Sequence, residues 1–134
     1  MSYQDILGEI NGDLAYVEKE LHRHARSSPT LLGESSERLV QAGGKRLRPA
    51  FVLLSGKFFK YDLQIIGQLA VAIELIHMAT LVHDDVIDSA ATRRGLPTVC
   101  SQWGDAIALQ TGSYLFAQAL KIVATRKSFA LLLE

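Results

Sequence analysis

A chain of 134 residues, 49% hydrophobic and 21% charged, has the makeup of one folded domain and excludes a disordered or collagen-like polymer. Its formal net charge of zero excludes a general attraction to nucleic acid or to an anionic membrane, so any basic site must be local. The lone Cys100 excludes an internal disulfide and a thiolate metal site, and reads as a core thiol in a reducing compartment.

Met1 to Ile10 is polar and acidic where a secretory signal would need a basic start and an apolar run, which predicts a cytoplasmic protein. Ile6, Ile10, Leu14, Val17 and Leu21 recur at steps of three and four, the stripe of one amphipathic helix. His22 and His24 at its end read as surface residues. Ser27-Ser28-Pro29 stops this helix, a shorter one follows from Thr30 to Gln41, and Gly43-Gly44 breaks the chain again. Pro49 suits the first turn of a third helix, Pro49 to Phe59, where its missing N–H would lack a partner anyway.

Asp62 is placed to cap a long fourth helix from Leu63 to Asp88, about 39 Å at ~1.5 Å per residue. The apolar run from Leu63 to His83 suggests a membrane span by length. Gln64, Gln68, Glu74, His77 and His83 interrupt it, which predicts a buried helix and no transmembrane segment. Arg93 to Pro97 reads as a loop, Thr98 to Trp103 as a short helical piece, and Asp105 as the cap of a fifth helix through Thr125. That helix is apolar nearly all round and so belongs inside a bundle, yet only a few residues follow it, to Leu131-Leu132-Leu133-Glu134; something must cover it. No alternating strand pattern or repeat is present, so the expected fold is all-α, a helical bundle forming a single unit over residues 1–134.

The chemistry concentrates at the end of the fourth helix. His83-Asp84-Asp85-Val86-Ile87-Asp88 puts Asp84 and Asp88 one turn apart on one face, with Asp85 beside them. Such like-charge spacing weakens a helix by about 0.2–0.5 kcal/mol per pair, and negative charge near a C-terminus also opposes the helix dipole. Magnesium would remove that repulsion, since it binds carboxylate oxygens and takes its other ligands from water and substrate phosphates. Alone, the three aspartates also fit a solvated acidic helix end.

Two basic clusters flank them. Gly43-Gly44-Lys45-Arg46-Leu47-Arg48-Pro49 sets three cations after a flexible pair and beside a helix N-terminus, a favourable place for phosphate, and Arg93 and Arg94 follow the aspartates closely. Each cluster by itself suits a solvated surface; with the aspartates they suggest two anion sites. His77, seven residues before Asp84, shares its face and carries a ring N–H for a phosphate oxygen, although an isolated histidine there also fits a satisfied core. His83 points about a hundred degrees away from Asp84 and is expected to play a supporting part at most.

These strings together, Gly43 to Pro49, Glu74-Leu75-Ile76-His77, Asp84 to Asp88 and Arg93-Arg94-Gly95, resemble the trans-polyprenyl diphosphate synthases in order and spacing, from about Leu39 to Ala119. The nearest likeness is to catalytic components of heptaprenyl or hexaprenyl synthases, N-terminal portion only. The resemblance implies the isoprenoid synthase fold and a transferase that condenses isopentenyl diphosphate with an allylic diphosphate. It implies that Asp84 and Asp88, supported by Asp85, hold Mg2+ on the allylic diphosphate, which Arg93 also contacts. It further implies that Lys45, Arg48, His77 and Arg94 bind isopentenyl diphosphate.

The family's chain-length positions, four and five residues before the first aspartate, are here Thr80 and Ala79, both small, with Ile76 and Ile73 further down the same helix. This implies a product longer than fifteen carbons. Two departures stand out. The family's second aspartate-rich motif is absent from these 134 residues, so the metal shell is incomplete within this chain and elongation by it alone is not expected. Ser113 also stands where the family commonly has aspartate. A homodimer or a heteromeric partner is expected from the uncovered helix and from the family's habit. Two other readings remain open: a noncatalytic association subunit of a two-component synthase, and a terpene-cyclase-like protein that ionises the same diphosphates.

Overall fold

The computed structural model describes residues 2–125. Among them the chain forms seven α-helices and one two-residue ribbon: α1 (Tyr3–Gly8), α2 (Asn11–Ala25), α3 (Leu31–Gln41), α4 (Leu47–Gly56), α5 (Leu63–Ile87), β1 (Thr92–Arg93), β2 (Leu96–Pro97), α6 (Val99–Trp103) and α7 (Asp105–Ala124). The all-α expectation holds. The segment Leu131–Glu134, expected to follow the last helix closely, lies outside the described residues.

The single N-terminal helix expected from its stripe is two helices. Ser2 and Asp5 cap α1 reciprocally, and the chain then bends at Ile10 (φ −118°, ψ 7°) between Gly8 and Gly12, both weak helix formers. The bend drives Ile10 fully into the core, a burial that keeps the stripe continuous although the helix is not. Thr30, expected to begin the second helix, is instead the cap of α3 and accepts the Leu32 N–H. The third helix begins two residues before Pro49, which still lies in its first turn, and ends at Gly56, leaving Phe58 and Phe59 exposed.

Asp62 caps α5 by accepting the Gln64 N–H at 2.9 Å. This helix is the axis of the fold, packed on α2, α4, α6 and, most extensively, α7. It is long and apolar enough to cross a membrane, but 56% of its most apolar window is buried inside the protein, and Gln68, Glu74 and Asp85 are buried on it. It is a core helix. The main core gathers Val17, Leu21, Leu53, Val71, Leu75 and Leu115, and a smaller one gathers Val82, Val99 and Ala108 beneath the end of α5.

Gly112 lets α5 and α7 close on each other: a Cβ there would collide with the imidazole of His83, whose Nε2 donates to the Leu109 carbonyl at 3.2 Å. Asp105 is the first residue of α7 rather than its cap. Gly104, at φ 90°, precedes it, and the carboxylate instead complements the helix dipole. The expectation of a fully enclosed last helix is met on one side only. Ala108, Thr111, Leu115 and Ala119 are buried, whereas Leu109, Phe116 and Leu120 are 44–52% exposed.

Two further expectations change. The Arg93–Pro97 loop is a hairpin with Thr92 opposite Pro97 and Arg93 opposite Leu96. Arg94 and Gly95 both have positive φ (52° and 77°), as a two-residue type I′ turn needs; strands this short carry no visible alternation. His24 is buried rather than on the surface, because it lies three residues past Leu21 on the core stripe and faces α7, with Nδ1 3.4 Å from Gln118 Oε1. Desolvation lowers its pKa below the ordinary histidine value. His22 is half-buried and donates to Glu37 Oε1 at 2.7 Å. Cys100 is half-buried beneath the aspartate turn, its Sγ 3.6 Å from the Asp85 carbonyl oxygen.

Candidate active site

The end of α5, the α3–α4 loop and the hairpin meet at one end of the bundle. Between them lies a cavity of about 190 Å³ lined by Arg38, Lys45, Arg46, Arg48, Arg93 and Arg94, by His77, and by only two carboxylates, Glu74 and Asp85. Both carboxylates are already paired, Glu74 with Arg46 and Asp85 with Arg93. The remaining positive charge makes the cavity an anion receptor.

The three aspartates divide by helical phase. Met78, Val82 and Asp85 form the inward stripe at the end of α5, so Asp85 is 5% exposed, while Asp84 and Asp88, on the adjoining face, are open to solvent. Arg93 closes on Asp85 through Nη2 to Oδ1 at 2.7 Å and Nε to Oδ1 and Oδ2 at 3.0 and 3.2 Å. That hydrogen-bonded pair raises the Arg93 pKa, burial opposes it, and the charges of Asp85, Asp84 and Asp88 add to the rise. The guanidinium is therefore a fixed positive charge.

Among the described residues, no three metal-binding side chains converge on a preformed ion site. The donor set that remains, two open carboxylates one turn apart, fits a hard cation such as magnesium that takes its other ligands from phosphate oxygens and water. It does not fit a closed cage made of protein alone.

On the cationic side, Lys45 and Arg48 are exposed and make no ion pair among the described residues. Arg94 reaches back from the turn, its Nη1 donating to the Gly43 carbonyl at 3.2 Å. His77 has a lowered pKa, first from burial and then from Arg48, with Arg94 and Arg93 adding and Glu74 opposing. A neutral imidazole with one N–H to donate results.

The structure brings Lys45, Arg48, His77, Arg93 and Arg94 to one cavity, and sets Asp84 and Asp88 on the next face of the same helix. It separates the tail residues. Ile73, Ile76, Thr80 and Asp84 follow one another on a single face of α5, with Ile73 and Thr80 exposed, while Ala79 is packed in the core at 2% exposure. Ser113 is exposed on α7 and makes no side-chain hydrogen bond among the described residues.

Sequence reasoning missed the network beneath the cavity. Arg46, counted there with the other cations of its cluster, turns inward and binds Glu18 and Glu74. Burial alone would lower its pKa, but the hydrogen bonds and charge of Glu18, and those of Glu74, raise it instead. Each partner lies 28 residues from Arg46, too far for any local pattern.

The profile of the polyprenyl synthetase family matches residues 29–134. Component 2 of heptaprenyl diphosphate synthase from Geobacillus stearothermophilus is 54% identical over 115 residues, covering 86% of this chain and 36% of that protein. Its counterpart from Bacillus subtilis (strain 168) is 48% identical, covering 92% and 35%. Among solved structures, heptaprenyl diphosphate synthase from Staphylococcus aureus superposes with a TM-score of 0.83 at 41% identity, covering 92% of this chain and 40% of that one. A polyprenyl synthase from Caulobacter crescentus CB15, complexed with calcium and isoprenyl diphosphate, superposes with a TM-score of 0.86 at 32% identity, covering 98% and 41%. The chain spans little more than a third of the length of these relatives. It belongs to the polyprenyl synthetase family.

Proposed function

We propose that this chain is the N-terminal part of a trans-polyprenyl diphosphate synthase, in which isopentenyl diphosphate is condensed with an allylic diphosphate into a longer all-trans product. The observation that carries this reading is the meeting of two unlike sites at one end of α5: the open carboxylates of Asp84 and Asp88, and the cation-lined cavity next to them. Asp84 and Asp88 would hold Mg2+ on the allylic diphosphate by their carboxylates, and Asp85 supports them through Arg93. The metal, when bound, offsets the negative charge that builds on the departing diphosphate.

Arg93, a permanent cation fixed by Asp85, adds to that stabilisation with no reorganisation at the moment of bond breaking. Lys45, Arg48, Arg94 and His77 hold the diphosphate of isopentenyl diphosphate in the cavity. The double bond of that substrate then attacks the allylic carbon as its carbon–oxygen bond breaks, and a proton leaves the new adduct. The growing tail runs along the Ile73, Ile76 and Thr80 face of α5, whose small Thr80 supports a medium or long product.

The relatives' designation as component 2 supports a heteromeric partner, and the half-exposed apolar residues of α7 suit such a contact or a homodimer. A cytoplasmic location goes with this reading.

The test is calorimetric titration of the chain with an allylic diphosphate analogue, with and without magnesium. Magnesium-dependent binding that disappears in Asp84→Ala and Asp88→Ala is expected, with little or no chain elongation by the isolated chain. Binding indifferent to magnesium in the unaltered chain would overturn the assignment.

A further inference from the structure

The loop between α3 and α4 and the first turn of α4 present Lys45 and Arg48 outward, and Arg46 inward between them. Arg46 has φ 50° and ψ 38°, a left-handed conformation that a long side chain keeps only where its surroundings hold it. They do so through four hydrogen bonds. Nε donates to Glu18 Oε2 at 2.9 Å and Nη2 to Glu18 Oε1 at 3.1 Å; Nη1 donates to Glu74 Oε1 at 3.1 Å, and Nη2 also to the Val40 carbonyl at 3.2 Å. One guanidinium thus ties the loop to α2, to the end of α3 and to α5.

Arg94 fastens the same loop from the hairpin side. Its Nη1 donates to the Gly43 carbonyl, and a Cβ on Gly44 would stand 3.0 Å from Arg94 Nη1 and 3.3 Å from Arg46 Nη1. The glycine pair is held between two guanidiniums, one of them neutralised by two carboxylates. Among the described residues, the unpaired positive charge of the loop and of the first turn of α4 is left to Lys45 and Arg48.

We propose that Arg46 is a positioning residue for diphosphate capture: pinned by Glu18 and Glu74, it sets the loop so that Lys45 and Arg48 face the cavity, and it acts through them rather than on the ligand. This rests on the reading of the cavity as a diphosphate site. Arg46→Lys keeps the charge but loses the planar fork that reaches four acceptor atoms on three residues at once.

The experiment is a double-mutant cycle on the 134-residue chain, with inorganic diphosphate and isopentenyl diphosphate titrated by calorimetry at fixed ionic strength. Arg46→Lys is expected to weaken binding about tenfold when Lys45 and Arg48 are present, within the range of coupling between residues of one hydrogen-bond network. In the Lys45→Ala/Arg48→Ala background the same change is expected to have no further effect. Equal weakening in both backgrounds would mean that Arg46 contacts the ligand itself, and unchanged affinity would mean that it does not set the loop; either overturns the proposal.

Should Arg46→Lys lose its helical circular dichroism, Glu18→Gln, which removes a two-pronged acceptor on α2, carries the same cycle with the same outcomes. If Lys45→Ala/Arg48→Ala itself leaves diphosphate affinity unchanged, the reading of the cavity fails, and this proposal fails with it.

Discussion

Arg93 grips both carboxylate oxygens of Asp85, so the middle aspartate of the turn is satisfied by protein while its two neighbours stay open. Replacing Asp85 and replacing Asp84 should therefore do different things. Asp85→Asn removes a charge-assisted pair and should cost about 1.5–3 kcal/mol, the range for a hydrogen bond to a charged group, read as a lower urea midpoint. Its magnesium affinity in the presence of a diphosphate analogue should fall less than that of Asp84→Ala, because Arg93 loses its anchor while both open carboxylates remain. Asp84→Ala should behave in the opposite way, losing the metal and keeping the fold. Identical effects of the two changes would contradict this division of labour.

Gly112→Ala should destabilise the protein by about 1–3 kcal/mol, because the added methyl meets the His83 ring in a packed interface. His83→Ala in the same chain should recover part of the loss by removing the obstacle. Thermal unfolding of the two single variants and the double variant checks both statements; an additive double variant would show that the two residues do not press on each other.

The burial of His24 gives the stability a pH dependence of definite sign. Its folded-state pKa is lowered from 6.5, mainly by desolvation, so the unfolded chain takes up the proton first as pH falls. The contribution is complete above 6.5 and is lost as pH drops from there through the folded-state value. Glu20 and Glu37, whose pKa values are lowered from 4.5, lose theirs only at lower pH. Urea midpoints at pH 7.5 and 5.5 should differ in the unaltered chain and differ less in His24→Gln, the remainder coming from His77, whose pKa burial also lowers.

Thr80 lies on the open face of α5 below Asp84, with its hydroxyl donating to the His77 carbonyl at 2.7 Å. In the assembled synthase, Thr80→Phe should shorten the product, whereas Ala79→Ser should leave its length alone because Ala79 points into the core. Chromatography of the products from the two variants decides between them. A longer product from Thr80→Phe would place the tail elsewhere.

What could be read from the residues was whatever depends on near neighbours. The stripe shared by α1 and α2, the Asp62 cap and the pairing of Asp84 with Asp88 all follow from spacings of two to four residues. The bend at Ile10 hid because the stripe runs through it unbroken, although Gly8 and Gly12 marked the place. The inward turn of Arg46 was illegible for a different reason: nothing in a run of three cations says which one will find carboxylates 28 residues away. His24 misled because a charged neighbourhood resembles a surface, and only the docking of α7 encloses it.

The turn at Arg94-Gly95 also acts as a ruler. Because side chains alternate across a strand, one residue added between Arg93 and the turn would send Arg93 to the opposite side of the ribbon, away from Asp85. Apart from Asp88, Arg93, Arg94 and Thr98, the stretch between the aspartate turn and α6 can therefore vary in side chains more freely than in length, and a deletion there would draw the guanidinium off the turn without altering a single carboxylate.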